Sequence, residues 1–147
     1  MRLLTLITVL TAAAGLSAAE KKDANSPSVD QIVSRANIAA YYQGEDGKST
    51  VHMSISSENG SERTRQFNIL RKDIEDGGNQ NYYVYFYRPA DVRGMVYMVH
   101  KHAAMDEDDD RWLYMPALDL VKRVAASDKR TSFVGSDYLY EDVSGRP

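Results

Sequence analysis

Two adjacent strands with apolar residues on both faces, residues 82–99, constrain the fold more than any other part of this sequence. Side chains alternate along a strand, so Tyr83 and Tyr85 lie on one face while Val84 and Phe86 lie on the other. A strand at a solvated surface is polar on one face, whereas a strand that is apolar on both faces needs cover on each. We therefore expect a helix on one face and a cavity on the other, without knowing which face is which.

The composition fits a single globular domain that does not bind nucleic acid. The chain has 147 residues, of which 43% are hydrophobic and 27% charged, which is ordinary for one domain. Its formal net charge is -3, so a basic footprint for DNA or RNA is missing. The sequence contains no cysteine, which excludes a disulfide scaffold, a thiol nucleophile and lipid attachment through an N-terminal cysteine.

The N-terminus has the three-part pattern of a secretory signal peptide. Arg2 precedes an apolar run at residues 3–10, and a stretch of small residues ends at Ala18 and Ala19. We expect cleavage after Ala19, which makes residues 1–19 the signal peptide; cleavage after Ala18 is the alternative. A membrane anchor would need about 20 uninterrupted apolar residues, and threonines interrupt this run. Export without a disulfide or a lipid anchor predicts a soluble protein outside the cytoplasm, most simply in a bacterial periplasm.

A polar, flexible lead-in at residues 20–28 precedes an amphipathic helix of about four turns that ends near Gly44. Ser28 and Gln31 have the spacing of a capping box. The small and β-branched residues that repeat at helical spacing are Ile32, Val33, Ala36, Ala39 and Ala40. We expect this helix to cover one face of the aromatic strands. A helix that covers an ordinary sheet with no ligand is the alternative.

A period of two after Ser49 predicts a β-hairpin, with Val51, Met53 and Ile55 on one face. Asn59-Gly60 is a strong turn signal, because both central positions of a type I′ turn need positive φ. On the return strand Arg63 and Arg65 lie near the turn, on the same side as Phe67. This pattern fits either a barrel mouth rimmed by arginine or a solvated strand end. Successive hairpins predict an antiparallel meander.

Metal-binding patterns are weak. Residues 106–110 are five consecutive acids, but they lack the spacing of a calcium loop, so we expect a solvated hairpin tip. His100 and His102 lack a third ligand at a recognisable spacing, so we expect solvent-facing residues at a strand end.

Catalytic patterns are equally weak. Ser136 and Asp137 lie in a Gly-Ser-Asp sequence without the G-x-S-x-G elbow and without a later histidine. Asp137, Glu141 and Asp142 have spacings of four and five, which suit a helical turn at least as well as a pair of catalytic acids. We expect no enzymatic activity, no metal and no cofactor.

Several segments together resemble a known family. They are residues 86–94, 111–118, 121–124, 132–138, 140–142 and 145–146, which include a WLYMP strand and an FVGSDYLYED segment. The pattern is similar to the outer-membrane lipoprotein-sorting protein family, the LolA-like periplasmic carriers, and most closely to a branch of uncharacterised secreted members. The resemblance covers residues from about 29 to 147, which we therefore expect to be a LolA-like domain.

The resemblance implies a mainly β fold with one long N-terminal helix (α+β). Its antiparallel meander would form part of an open LolA/LolB-like half-barrel, with helices plugging the concave side. It further implies a periplasmic carrier that binds lipoprotein acyl chains or lipids in an apolar hollow for sorting to the outer membrane. Its partners would be an inner-membrane lipid exporter or an outer-membrane acceptor. We expect the hollow to be lined by Phe67, Phe86, Met98, Trp112 and Tyr114.

The length differs from the family pattern. Members of the branch continue with further strands, whereas about six strands are expected here, so we expect the domain to be an N-terminal portion of a longer protein. The alternative is that another chain completes the sheet, whose unpaired edge would otherwise be a liability. A second functional hypothesis is a periplasmic accessory module of a lipid-exporting membrane transporter, without a ligand cavity of its own.

Overall fold

One antiparallel sheet organises residues 26–104 and 106–145, the part of the chain that the computed structural model describes. Its six strands pair in sequence order: β1 (Asp46–Ser56), β2 (Glu62–Asp73), β3 (Gln80–Arg88), β4 (Val96–Lys101), β5 (Asp110–Met115) and β6 (Leu120–Val124). The helix α1 (Val29–Tyr41) precedes the sheet, and short 3₁₀ helices cover Pro116–Leu118, Ala126–Asp128 and Tyr140–Val143. The predicted mainly β fold, an open meander with one N-terminal helix, is confirmed. The predicted signal peptide lies outside the described residues.

The first hairpin forms where the sequence predicts it, although its loop is longer than a two-residue turn. Ser56 pairs with Glu62, so the loop comprises residues 57–61. Gly60 has a φ of +81° and its N–H donates to Ser57 O at 2.9 Å. Gly60 alone supplies the positive φ, within a five-residue loop, which is another common hairpin connection.

The two faces of β3 differ in burial, which settles the question that the sequence leaves open. Tyr82, Val84 and Phe86 are at most 4% exposed, whereas Tyr83 and Tyr85 are 42% and 41% exposed. We call the side of the sheet that carries Phe86 the inner face and the side that carries Tyr85 the outer face. The hydrophobic core therefore lies on one side of the sheet.

The cover of the inner face is the C-terminal segment, residues 125–145. Phe133 is 1% exposed, and its ring centroid lies 5.9 Å from that of Phe86 and 5.4 Å from that of Tyr97. Tyr140 adds an edge-on contact with Phe133 at 5.6 Å and accepts a hydrogen bond on its carbonyl from Tyr97 Oη at 3.0 Å. Irregular chain with large aromatic residues thus takes the position that was predicted for the helix.

The prediction that α1 covers a face of the aromatic strands is wrong. The capping box is present, with Ser28 and Gln31 exchanging hydrogen bonds, but the helix buries none of its residues. Ile32 is 53% and Val33 60% exposed. The helix meets the sheet near its C-terminal end, where the Tyr41 carbonyl accepts hydrogen bonds from Arg71 and Gln80. Among the described residues no helix is long and apolar enough to cross a membrane.

Candidate functional site

An apolar cleft lies between the edge strand β1 and the C-terminal segment. It has a volume of about 400 Å³. Its floor is formed by the inner-face residues of β1 and β2, and its far wall by the C-terminal segment. The apolar and aromatic residues that line it are Val51, Met53, Phe67, Ile69, Phe133, Tyr138 and Val143. Phe133 packs on Phe67, Phe86 and Tyr97 of β2, β3 and β4. The cleft remains beside it because Val51, Met53 and Ile69 are only partly buried.

A second cleft of about 330 Å³ continues the first towards α1, and Ile69 and Val143 line both. Ala40 and Tyr41 of α1 form one side of it, and Arg71 of β2 places a cationic group there. We call the two clefts together the groove. It runs along the inner side of β1 and β2 from an apolar end near Met53 to a cationic end near Arg71.

Arg71 is the centre of the cationic end and also fixes the end of α1. Its guanidinium donates to the carbonyl of Tyr41, an acceptor left open at the last residue of the helix, and to the carbonyls of Gln43 and Gly44 just beyond it. Its Nε lies 3.4 Å from Asp73 Oδ1 but makes no hydrogen bond with the described residues. Gln80 strengthens this anchor, because its side-chain amide donates to Tyr41 O at 2.8 Å and to Asp73 Oδ1 at 2.7 Å.

Lys101 forms the second anchor of the helix end. It is 6% exposed, its Nζ donates to Ser144 O at 3.0 Å, and the ammonium lies 5.0 Å from the ring centroid of Tyr41. The ring of Tyr42 lies 5.4 Å away. Such cation–π contacts gain strength when the cation is desolvated. Burial lowers the pKa of Lys101, with Asp109 and Asp73 opposing that shift.

The five side chains predicted to line one hollow do not share a face. Phe67 and Phe86 lie on the inner face with ring centroids 4.8 Å apart, and Phe67 also lines the groove. Met98 pairs with both Tyr83 and Trp112 on the outer face. The fifth, Tyr114, also lies on the outer face, where its hydroxyl is 3.3 Å from Asp119 Oδ1.

The reason for the difference is the register of β4. Tyr97 pairs with Val84 and with Leu113, so Tyr97 and not Met98 lies on the buried face. Phe86 is fully buried beneath Phe133 and is part of the core rather than of an open surface. Sequence reasoning missed Val51, Met53, Ile69 and Val143 as groove residues. The alternation along β1 and the shared side of Phe67 and Ile69 were the signals that could have identified the first three.

The acidic run is more ordered than a solvated hairpin tip, because three of its five carboxylates form ion pairs with lysine or arginine. Asp109 pairs with Arg111 at 2.6 Å, Asp108 with Lys129, and Asp110 with Arg123. These contacts join the turn to β5, β6 and the C-terminal segment. No group of three or more His, Cys, Asp or Glu suited to a metal ion occurs within residues 26–104 and 106–145.

His100, His102 and Ser136 make packing, ion-pair and hydrogen-bond contacts within the fold. His100 is exposed on the outer face and its ring meets that of Trp112 at 4.9 Å. His102 lies within 3.4 Å of carboxylate oxygens of Glu107 and Asp110. Ser136 is buried, donates to Phe133 O at 2.7 Å and accepts from Tyr138 N at 3.2 Å, so its hydroxyl stabilises the turn that presents Phe133.

Two solved structures of other proteins are similar to this fold. A crystal structure of a DUF1329 family protein from Desulfovibrio piger has 34% sequence identity and a TM-score of 0.69, over 77% of this chain and 47% of that one. A domain from Vibrio parahaemolyticus, provisionally described as an outer membrane lipoprotein-sorting protein domain, has 29% identity and a TM-score of 0.65, over 76% of this chain and 46% of that one. The chain is similar to both.

A family profile described as "Uncharacterized protein" matches residues 78–147. No curated protein matches the chain. The chain spans less than half the length of the two solved proteins. The likeness to them supports the resemblance to the LolA-like family and its open sheet.

Proposed function

We propose that the protein is a periplasmic carrier that holds acyl chains of lipoproteins, or other lipids, in the groove for sorting to the outer membrane. The observation that carries the proposal is the apolar cleft of the groove, which is open and has a volume of about 400 Å³ on the inner side of β1 and β2. Its volume lies within the range of about 300–1,000 Å³ that is typical of ligand sites. Similarity to a domain described as a lipoprotein-sorting protein supports the choice of ligand.

The energetics of the groove suit a carrier rather than a permanent lipid store. Each buried CH₂ group contributes about 0.8 kcal/mol, so an acyl chain lying on Val51, Met53 and Ile69 is held by many small contacts. The groove is open to solvent along β1, so a ligand remains partly exposed. A partner at the outer membrane can therefore take the chain by offering more apolar surface.

The location and partners of the proposed carrier follow from its N-terminal pattern. The predicted signal peptide, residues 1–19, directs the protein to the periplasm, where acyl chains need shielding from water. Partners would be an inner-membrane lipid exporter that delivers the ligand or an outer-membrane acceptor that receives it.

The test fills the groove without changing the core. Val51→Trp places an indole on the floor of the groove, while Thr50→Trp places the same side chain on the exposed opposite face of β1. Each full chain is exported to a bacterial periplasm, purified without detergent and examined by native mass spectrometry for co-purifying lipid. We expect lipid on the wild type and on Thr50→Trp and little on Val51→Trp. Equal lipid on both variants, or none on the wild type, contradicts the proposal.

A second candidate function, an accessory module of a lipid-exporting transporter, is favoured by the outer face. Tyr83 and Tyr85 are each more than 40% exposed, and aromatic residues of this kind are enriched at protein interfaces. A photo-crosslinking residue at Tyr85 should then trap a membrane protein, whereas the same residue at Leu118, in the turn between β5 and β6, should not. If Val51→Trp carries no lipid but a photo-crosslinking residue at Tyr85 still forms an adduct with the membrane protein, the two functions are separable.

A further inference from the structure

The free edge of β1 lacks the features that usually protect an edge strand. Among the described strands, β1 stands at the end of the sheet order and pairs with β2 over eleven residues without a bulge. Residues 49–56 contain no acidic residue, lysine, arginine or proline. Natural edges are usually short, charged, bulged or covered, because a row of open N–H and C=O groups pairs readily with another chain. The other edge, β6, has five residues that include Lys122 and Arg123, so β1 is the edge that remains able to pair.

The register of the first hairpin shows which backbone groups of β1 are open. Beyond one end of β1, Ser57 N–H donates to Ser61 O at 2.9 Å. Beyond the other end, Asp73 N–H donates to Glu45 O at 2.8 Å. Bonded and non-bonded pairs alternate along an antiparallel ladder, so the odd-numbered residues of β1 bond to β2 and the even-numbered ones point their N–H and C=O groups to the open side. In the middle of this open row are Thr50, His52 and Ser54.

The apolar cleft between β1 and the C-terminal segment borders this open row. His52 and Ser54 line the cleft although their side chains lie on the outer face with that of Thr50, so the cleft reaches the edge of β1 itself. Val51 and Met53 line it from the inner face. A strand added beside β1, at about 4.8 Å, alternates its side chains between the two faces of the sheet. Every second side chain of such a strand therefore enters the cleft.

We infer that β1 binds an extended peptide as an added strand of the sheet. The open row alternates N–H groups, which carry partial positive charge, with C=O groups, which carry partial negative charge. An extended polypeptide presents the complementary alternation, and the cleft adds a preference for apolar residues at every second position. An acyl chain has no such polar groups. Peptide binding is thus an activity separate from lipid binding, although both use the apolar cleft.

The experiment uses a heptapeptide of alternating leucine and threonine with uncharged ends, titrated into the full chain by calorimetry. Residues opposite each other on paired strands share a face, so the peptide residues that bond to the open row point their side chains outwards. With the leucines in the cleft, these residues are the threonines. We expect N-methylation of the threonine amides to weaken binding by at least about tenfold, and N-methylation of the leucine amides to change it little.

A pair of variants tests the protein side of the same contact. His52→Pro removes an open N–H and spares the β1–β2 ladder, since proline is tolerated where the N–H of an edge strand faces solvent. His52→Ala removes the same side chain and keeps the N–H. We expect His52→Pro to weaken peptide binding by about fivefold, the strength of one hydrogen bond, and to leave binding of monopalmitoylglycerol unchanged. His52→Ala should change neither. If His52→Pro fails to fold, the two methylated peptides on the wild type decide the question.

The outcomes separate this inference from the carrier proposal. Failure of the heptapeptide to bind, or equal losses for its two methylated forms, overturns the added strand and leaves the carrier proposal standing. If the heptapeptide does not bind and the wild type sediments as a dimer that His52→Pro makes monomeric, a second copy and not a peptide occupies β1. Binding of the heptapeptide without binding of any acyl ligand overturns the carrier proposal and supports the added strand.

Discussion

The ring of Phe133 packs edge-on against that of Phe67, with the centroids 6.0 Å apart and the planes at 77°. This contact joins the C-terminal segment to β2, and both residues also line the groove. The segment is therefore at once the cover of the core and one wall of the candidate site. Because one residue serves both purposes, the shape of the groove depends on the same packing that stabilises the fold.

Truncation of Phe133 should strongly lower the free energy of unfolding. Phe133 is 1% exposed and meets four aromatic rings, so Phe133→Ala leaves a large cavity and should lower the free energy of unfolding by about 3–5 kcal/mol. Tyr138→Ala removes a 59% exposed ring from the same segment and should change it by less than about 0.5 kcal/mol. Urea titration followed by circular dichroism measures both values. A cost below about 1 kcal/mol for Phe133→Ala would show that the segment is not the cover.

The order of strands is readable from the sequence because each hairpin is a local event. Alternation along β1 and the Asn59-Gly60 signal need no knowledge of distant residues. The buried face of each strand cannot be predicted in the same way. Because β3 is apolar on both sides, its alternation does not indicate which side faces the core. A sequence pattern of this kind predicts the sheet and leaves the position of the core open.

The element that covers the inner face of the sheet could not be predicted from the sequence, for a related reason. α1 has a helical period and a capping box, so it is the recognisable candidate for a packed element, yet it buries no residue. Phe133 and Tyr140 lie in chain without a period, and periodicity is the main signal by which buried residues are recognised. Val143 could not be placed in the groove from the sequence for the same reason, because this wall of the groove is irregular chain.

Removal of the Asp109 charge should leave a buried cation without its partner. Arg111 is 4% exposed and its Nη2 lies 2.6 Å from Asp109 Oδ2, which also accepts from Ser144 Oγ at 3.1 Å. Asp109→Asn should therefore lower the free energy of unfolding by about 3–5 kcal/mol, the usual cost of breaking a buried pair on one side. Asp106→Asn, at an exposed position in the same turn, serves as the control and should have little effect. Equal midpoints for the two variants in urea would contradict this role for Asp109.

Alkaline pH should weaken the fold through Tyr97. Burial raises the pKa of Tyr97 above its ordinary 10.0. Since the unfolded chain releases this proton first, the contribution is fully present below pH 10 and is lost as pH rises above it. Tyr97→Phe should cost about 0.5–1.5 kcal/mol at neutral pH, because Tyr140 O loses its donor, and should show a flatter decline above pH 10.

The measurement for Tyr97 is urea unfolding at a series of pH values from 8 to 11.5, on the order of half a unit apart. Burial also raises the pKa of Tyr82 and lowers that of Lys101, so the wild type has further contributions, the second of opposite sign. These are common to both proteins and cancel in the difference. Tyr85→Phe, on the exposed outer face, should keep the wild-type profile. Parallel curves for Tyr97→Phe and the wild type would contradict the assignment.

Gly145 controls the attachment of α1, because a side chain there collides with the residue that ends the helix. A Cβ at Gly145 would lie 2.6 Å from Tyr41 Cζ, so Gly145→Ala must displace the ring that lies over Lys101. We expect faster amide hydrogen exchange throughout α1, with β3 and β4 unchanged. Gly60→Ala is the matched control, because its φ of +81° carries the same backbone strain as the +82° of Gly145 while nothing lies within 4 Å of its Cβ. If Gly60→Ala loosens α1 equally, or Gly145→Ala leaves its exchange unchanged, the ring contact does not hold the helix.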